Sequence, residues 1–334
     1  MKISIADQTM IRAGGSATEA LRETVELARL ADSLGYERFW LTEHHNMPFI
    51  GSSTPEILIG KVAESTERIR VGSGGIMLPN HSSLKVAECF RLLEALYPGR
   101  IDLGLGRAAG TDPYTARILN PSNDFKEANF PAKVEELQAF FSDAAMTQRG
   151  PVMACPKIET IPQQWILTGG ANAALAAKWG LGLSLPHFIQ EVKNTEGVER
   201  YRKEFSASGT FPESRVSMGL FVICADTAEK ADLLKKCIQI VFVGMALYGR
   251  FQPLPSTEEA NRHEFNEQEK AFLEMQKGKY VSGTPDRVAE ELEVYRSHFD
   301  LDEIIAMMMA YDFEDRKRSY ELLAGLFAHE GALA

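Results

Sequence analysis

The chain has 334 residues, 45% hydrophobic and 25% charged, with a formal net charge of -10 and a pI near 5.3. That length suits one large α/β domain or two smaller ones. The acidic balance argues against a nucleic-acid groove, which needs a basic face, but leaves room for an anionic cofactor held by a few backbone N–H groups and an arginine.

No apolar run approaches the roughly 18 residues of a membrane span. Met1 to Met10 lacks the charged-then-apolar pattern of a cleaved leader, so the expected location is cytoplasmic. The four cysteines, Cys89, Cys155, Cys224 and Cys237, are scattered without a CxxC pair and read as reduced thiols.

In chain order, Ile3 to Ala6 reads as a strand meeting Asp7, and Thr18 to Leu34 as an amphipathic helix with Thr18 as N-cap. Phe39 to Leu41 is a second strand, which ends abruptly in Thr42-Glu43-His44-His45-Asn46. Thr54-Pro55 opens a helix running to about Thr66. Ile69 to Leu78 is a glycine-interrupted strand, Ser83 to Leu96 a helix, and Arg100 to Gly106 a fourth strand ending at Arg107. Ala108 to Phe125 reads as an irregular excursion, Phe130 to Ser142 as a helix, and the stretch to Pro162 as broken by proline.

Trp165 to Thr168 is the fifth strand, followed by a helix over Ala171 to Trp179. Leu181 to Leu185 is the sixth strand, with a helix at about Ile189 to Phe205. Arg215 to Cys224 is the seventh, with a helix from Thr227 to Leu247. From Tyr248 to Tyr280 the periodicity fails, which suits a mobile lid-like loop over a site better than a linker. A helix opens at Thr284-Pro285, Glu303 to Met309 is the eighth strand, and Glu314 to Phe327 closes the chain. Eight strands alternating with helices predict an α/β fold, a single (β/α)8 TIM barrel spanning 1–334 with an insertion at about 248–280 after strand 7. A doubly wound open sheet is the alternative.

In such folds the carboxyl ends of the strands carry the chemistry. Glu43-His44-His45 stands at one of these ends and holds two of the seven histidines. Adjacent histidines on a strand point to opposite sides, so a general base is favoured over a metal ligand, and no metal is expected. His45 can equally be a packed wall residue. Gly72, Gly74 and Gly75 weaken a strand unless something approaches its backbone; a flat ring is favoured over a plain bulge. Arg107 suits either a phosphate or a structural ion pair. Thr168-Gly169-Gly170-Ala171-Asn172 leaves free N–H groups at a helix start, although it is neither a P-loop nor GxGxxG and such turns are common.

Together GYERFWLTEHHNM, STPEILIG, RIRVGSGGIMLPNHSSLKVAE, LYPGRIDLGLGRAAGTD and, more loosely, TGGANAALAAKWG and SGTPDRVAEEL resemble the bacterial luciferase-like flavin monooxygenases, single-component members especially. The resemblance implies a dimeric TIM barrel with a mobile insertion after the seventh strand. It implies reduced FMN, supplied by a separate flavin reductase, reacting with O2 through a C4a-hydroperoxide to oxidise a small organic substrate. His44 is then the catalytic base, Gly74-Gly75 a non-proline cis peptide beside the flavin ring, and Arg107, Thr168, Gly169, Gly170 and Asn172 the phosphate site. Asp7, Glu43, His45 and Met77 are expected at the substrate pocket, with Tyr114 and Phe188 on its apolar walls.

Gly106 stands where the luminescent enzymes carry a reactive cysteine, so light emission is not expected. Two other readings remain open at this point. One is an F420-dependent reductase transferring hydride without oxygen; the other is a flavin-binding protein without catalysis.

Overall fold

The computed structural model describes residues 1–122, 126 and 129–327. Its elements, in order, are β1 (Lys2–Asp7), α1 (Ala17–Leu34), β2 (Arg38–Leu41), α2 (Pro55–Glu64), β3 (Arg70–Met77), α3 (Ser83–Leu96), β4 (Ile101–Gly106), α4 (Pro113–Leu119) and α5 (Asn129–Phe141). There follow a small hairpin of β5 (Met146–Thr147) and β6 (Gly150–Pro151), then β7 (Gln163–Leu167), α6 (Ala173–Lys178), β8 (Gly182–Leu185), α7 (Glu196–Glu204), β9 (Val216–Cys224) and α8 (Ala228–Tyr248). The chain continues with α9 (Thr257–Arg262), α10 (Glu267–Gln276), β10 (Tyr280–Gly283), α11 (Pro285–Phe299), β11 (Glu303–Met307) and α12 (Phe313–Phe327).

The main sheet runs β10-β9-β11-β1-β2-β3-β4-β7-β8, and β8 pairs back onto β9, so the strands other than β10 close into a parallel barrel with helices outside. This is a TIM barrel, and the β8–β9 pairing excludes the open doubly wound sheet. β9 is wholly buried; its first residues, Val216 to Met218, pair with β8 and its last, Phe221 to Cys224, with β10. β10 is therefore an added strand, seated where β8 has already ended.

Alternation along β2 shows how the barrel is filled. Arg38 and Trp40 reach Asp102 across the interior, while Phe39 and Leu41, also buried, belong to the other face of the strand, between sheet and helices. Burial of each such apolar side chain contributes on the order of 1.5–3 kcal/mol. Helix α1 starts one residue earlier than expected and is capped by Ser16 rather than Thr18: Ser16 and Glu19 form a reciprocal capping box that satisfies the first N–H groups, and Gly35 ends the helix with φ at 81°.

Three further stretches differ from the sequence expectation. Within 108–125, Asp112 caps the short helix α4 by accepting from the N–H groups of Tyr114 and Thr115; the end of that stretch, at Phe125, lies outside the described residues. Helix α7 starts at Glu196 rather than near Ile189, because His187 to Val192 form a turn closed by the Val192 N–H on His187 Nδ1. Most of 248–280 is helical. Capping boxes Ser256–Glu259 and Asn266–Glu269 open α9 and α10.

The stretch between α8 and α9 lies at the carboxyl end of the barrel. Leu254 bridges to Arg12 in the loop after β1, and Phe251 stacks on Phe49 in the loop after β2, with ring centroids 6.4 Å apart. Among the described residues no helix is long and apolar enough to cross a membrane.

Candidate active site at the carboxyl end of the second strand

The inner column of β2 begins at a polar floor. Arg38 donates to Glu303 at 2.7 Å and to Asp102 at 2.5 Å, and Arg70 holds the second oxygen of Asp102 at 2.6 Å. Trp40 Nε1 also donates to Asp102, at 3.1 Å, and its ring packs edge-on against Trp165. The buried charges are thus paired and hydrogen-bonded, the condition under which burial of ions is tolerated. Above this layer the strand leaves the sheet at Thr42.

Glu43 and His45 share one side of the emerging chain, bonded to each other at 2.8 Å. Glu43 is 1% exposed, and its carboxylate accepts three hydrogen bonds at 2.8 Å, from His45 Nε2, His81 Nε2 and the Met77 N–H. Burial acts to raise its pKa, but the bonds from His45 and His81 prevail and hold it down to about 2. It is therefore ionised at neutral pH. An ionised carboxylate only accepts, so both imidazoles carry a proton on Nε2. For His81, desolvation pulls the pKa down, and the hydrogen bond and charge of Glu43 reverse that and raise it.

His44, between these two, is held by its neighbours. The His45 N–H donates to the Gly110 carbonyl at 3.1 Å, and Thr111 Oγ1 donates to the His45 carbonyl at 2.8 Å. Its Nδ1 is buried without a hydrogen-bond partner. Burial lowers the pKa of the ring, against smaller upward pulls from the Gly110 backbone and the Glu43 charge. A neutral imidazole at neutral pH, with a ring nitrogen not engaged by protein, can accept a proton.

Strand β3 slips past β4 at Gly74 and Gly75: Ser73 faces Leu103 and Ile76 faces Leu105, and the Gly74–Gly75 peptide is cis. Packing explains the glycines. A Cβ on Gly72 would lie 2.3 Å from the Asp102 carbonyl oxygen, one on Gly75 2.6 Å from that of Gly104, and one on Gly74 2.9 Å from the Trp40 ring. The close approach at Gly72 and Gly75 is made by the neighbouring strand.

Met77 covers Gly106, whose Cβ would meet the Met77 methyl at 2.4 Å. Arg107, at the end of β4, is exposed and lines a cavity of about 320 Å3 with Pro79, Asn120 and Lys133. On the neighbouring strand, where Gly106 of β4 pairs with Leu167 of β7, Thr168 Oγ1 accepts from the Asn172 N–H at 3.3 Å; Gly169 is exposed with open space at its Cβ position, and Gly170 has φ of 119°. These groups stand at the carboxyl ends of β4 and β7.

Two expected pocket residues are placed elsewhere. Asp7 is 1% exposed, and its oxygens accept from Arg316 at 2.7 Å, Thr24 at 2.7 Å and the Thr9 N–H at 2.8 Å. It ties β1 to α1 and α12 rather than lining a pocket. Tyr114 projects from α4 and is 75% exposed. Phe188, by contrast, is packed over Gly219 and against Phe221, with centroids 5.8 Å apart.

His81, Thr42 and the Arg38–Asp102–Glu303 floor escape the sequence reading. Their strand spacing was visible, but cross-strand pairing was not. Among the described residues no group of three or more side chains is arranged to hold a metal ion.

Comparison with known proteins identifies the family. The luciferase-like monooxygenase family matches residues 1–300. The Bacillus subtilis (strain 168) protein YwcH is 38% identical, over 98% of this chain and 99% of its own length. The N-acetyl-S-alkylcysteine monooxygenase of the same organism is 34% identical over 97% of each. The crystal structure of apo-MsnO8 superposes with a TM-score of 0.86 at 34% identity, covering 98% of both chains. The chain belongs to the luciferase-like monooxygenase family and is thereby placed among the oxidoreductases.

Proposed function

We propose that the protein is a flavin-dependent monooxygenase, binding reduced FMN at the carboxyl end of the barrel and using O2 to oxidise a small organic substrate. The observation that carries this reading is the buried, unpartnered Nδ1 of His44 at the mouth of the barrel. Buried polar atoms are normally hydrogen-bonded, so this atom fits a partner brought by a ligand.

The residues present fit a flavin. Gly74 and Gly75 offer a side-chain-free backbone to one face of a flat ring. Arg107 supplies a cation for the phosphate, and Thr168, Gly169, Gly170 and Asn172 an open turn with small side chains. Reduced FMN supplies the electrons that activate oxygen. His44 holds or releases a proton at Nδ1, while Glu43, His45 and His81 fix the backbone on either side of it. Met77 shapes the floor over Gly106, and the stretch around Phe251 and Leu254 closes the mouth and excludes water.

A separate flavin reductase delivers the reduced cofactor in this account. The protein is a homodimer, paired through the exposed apolar faces of α2 and α3, where Ile57, Leu92 and Leu96 are 73%, 52% and 60% exposed. The relative acting on N-acetyl-S-alkylcysteine suggests a thioether as the first substrate to test. Incubation of N-acetyl-S-methylcysteine with the protein, FMN, NADH and a flavin reductase tests the reading. Product that forms only with oxygen supports it. Turnover independent of oxygen, or with F420 in place of FMN, moves the protein to the hydride-transfer reading.

A further inference from the structure

The interior column of β2 carries Arg38 and Trp40, and Thr42 is the next residue in phase. Glu43 and His45, one residue out of phase, bond to each other two positions apart, which leaves Thr42 and His44 together on the opposite side. Thr42 is 7% exposed and its N–H is fixed on the Asp7 carbonyl at 3.2 Å. Its hydroxyl oxygen is buried without a partner, as is His44 Nδ1.

These are two orphaned polar atoms at alternate positions of one extended segment. The β2–β3 register, Leu41 opposite Ser73, brings Thr42 level with Gly74, and Gly74 lies over the Trp40 ring. A buried hydroxyl without a partner destabilises the protein that carries it. A valine of the same shape would not incur that cost, so the hydroxyl points to something that binds.

We infer that the Thr42 hydroxyl and His44 Nδ1 form a two-point hydrogen-bonding cradle for the polar edge of the ring seated over Gly74, with Thr42 as a ligand-contacting residue that sets affinity. The inference rests on the flavin reading and adds a residue to it. Thr42 both donates and accepts, so it serves a carbonyl oxygen or a ring N–H alike. His44 keeps its proton-handling role.

The test compares Thr42→Val, which keeps the shape and removes the hydroxyl, with Thr42→Ser, which keeps the hydroxyl. Thermal unfolding is measured on ligand-free protein, and affinity by anaerobic titration with chemically reduced FMN. The valine variant is expected to melt at or above the wild-type temperature and to bind reduced FMN about tenfold more weakly, the loss of one neutral hydrogen bond. The serine variant is expected to bind within about twofold of wild type, since it retains that bond.

A valine variant that melts several degrees lower would show the hydroxyl to be satisfied within the protein or by water, and would overturn the inference. Unchanged affinity in the valine variant would overturn it as well, as would equal weakening in both variants, which would make shape the cause. If wild-type protein binds no FMN in either redox state, the flavin reading falls separately. The melting comparison then decides alone whether the hydroxyl is unsatisfied.

Discussion

His81 Nε2 and the Glu43 carboxylate stand 2.8 Å apart, and through this bond the loop after β3 grips the loop after β2. The same carboxylate holds His45 and the Met77 N–H, so one buried charge fixes both flanks of His44. The His81 carbonyl in turn accepts from Lys133 of α5 at 2.8 Å.

The pH dependence of stability follows from the directions of these shifts. Glu43, held near 2 against an unfolded value of about 4.3, stabilises the fold above the unfolded pKa, by on the order of 3 kcal/mol, and this is lost as pH falls toward 2. His81 is raised, so its contribution is complete below about 6.5 and is lost as pH rises through its folded pKa. Urea unfolding of His81→Leu should therefore show a loss of about 1–2 kcal/mol at pH 6 and a smaller one at pH 9. Glu43→Gln should flatten the acid limb between about pH 4.5 and 2.

Replacement of His44 separates chemistry from folding. Its Nδ1 makes no internal hydrogen bond, so His44→Ala removes none at that atom. Oxygen-dependent turnover at saturating reduced FMN should fall about 10²–10⁴-fold, the usual range for a general acid–base group, well beyond the roughly tenfold loss of reduced-FMN affinity expected from removing one hydrogen bond of the cradle. Turnover near the wild-type rate would remove His44 from the mechanism.

Glycines 75 and 169 predict opposite outcomes. Gly75→Ala places a methyl group 2.6 Å from a backbone carbonyl and should destabilise by about 1–3 kcal/mol in denaturant unfolding. At Gly169 the added carbon meets nothing within 4 Å, so Gly169→Ala should fold like wild type. If the turn approaches a phosphate as proposed, its FMN affinity should drop while its affinity for riboflavin stays the same.

The polar floor supplies a stability test remote from the mouth. Arg38→Met leaves the buried Asp102 and Glu303 without their shared partner, and breaking a buried pair in this way costs about 3–5 kcal/mol. The double variant Arg38→Met with Glu303→Gln should recover part of that loss, measured as a higher urea midpoint. Equal midpoints for the two would show that the pair is not the source of the strain.

The barrel was legible in the sequence because its strands are short apolar runs, bounded by turn residues and separated by helix-period segments. Glu43-His44-His45 was legible because three polar residues end one of those runs. Helices α9 and α10 were missed even though Ser256…Glu259 and Asn266…Glu269 spell capping boxes, since the charged segments between them lack a clear apolar period. The engagement of Asp7 by Arg316 joins residues 309 positions apart, and the clasp of Glu43 by His81 spans 38. Periodicity carries no information at that range. That the neighbouring strand occupies the Cβ positions of Gly72 and Gly75, a packing reason for glycine there whatever approaches the other side of the strand, was not legible either.

The central claim is tested most directly by an anaerobic titration of the purified protein with FMN, first oxidised and then reduced, followed by admission of oxygen in a stopped-flow spectrometer. The account predicts saturable binding that is tighter for reduced FMN, and reoxidation on the protein at a rate distinct from that of free flavin, altered by His44→Ala. Absence of binding in both redox states, with reoxidation at the rate of free flavin, would contradict it.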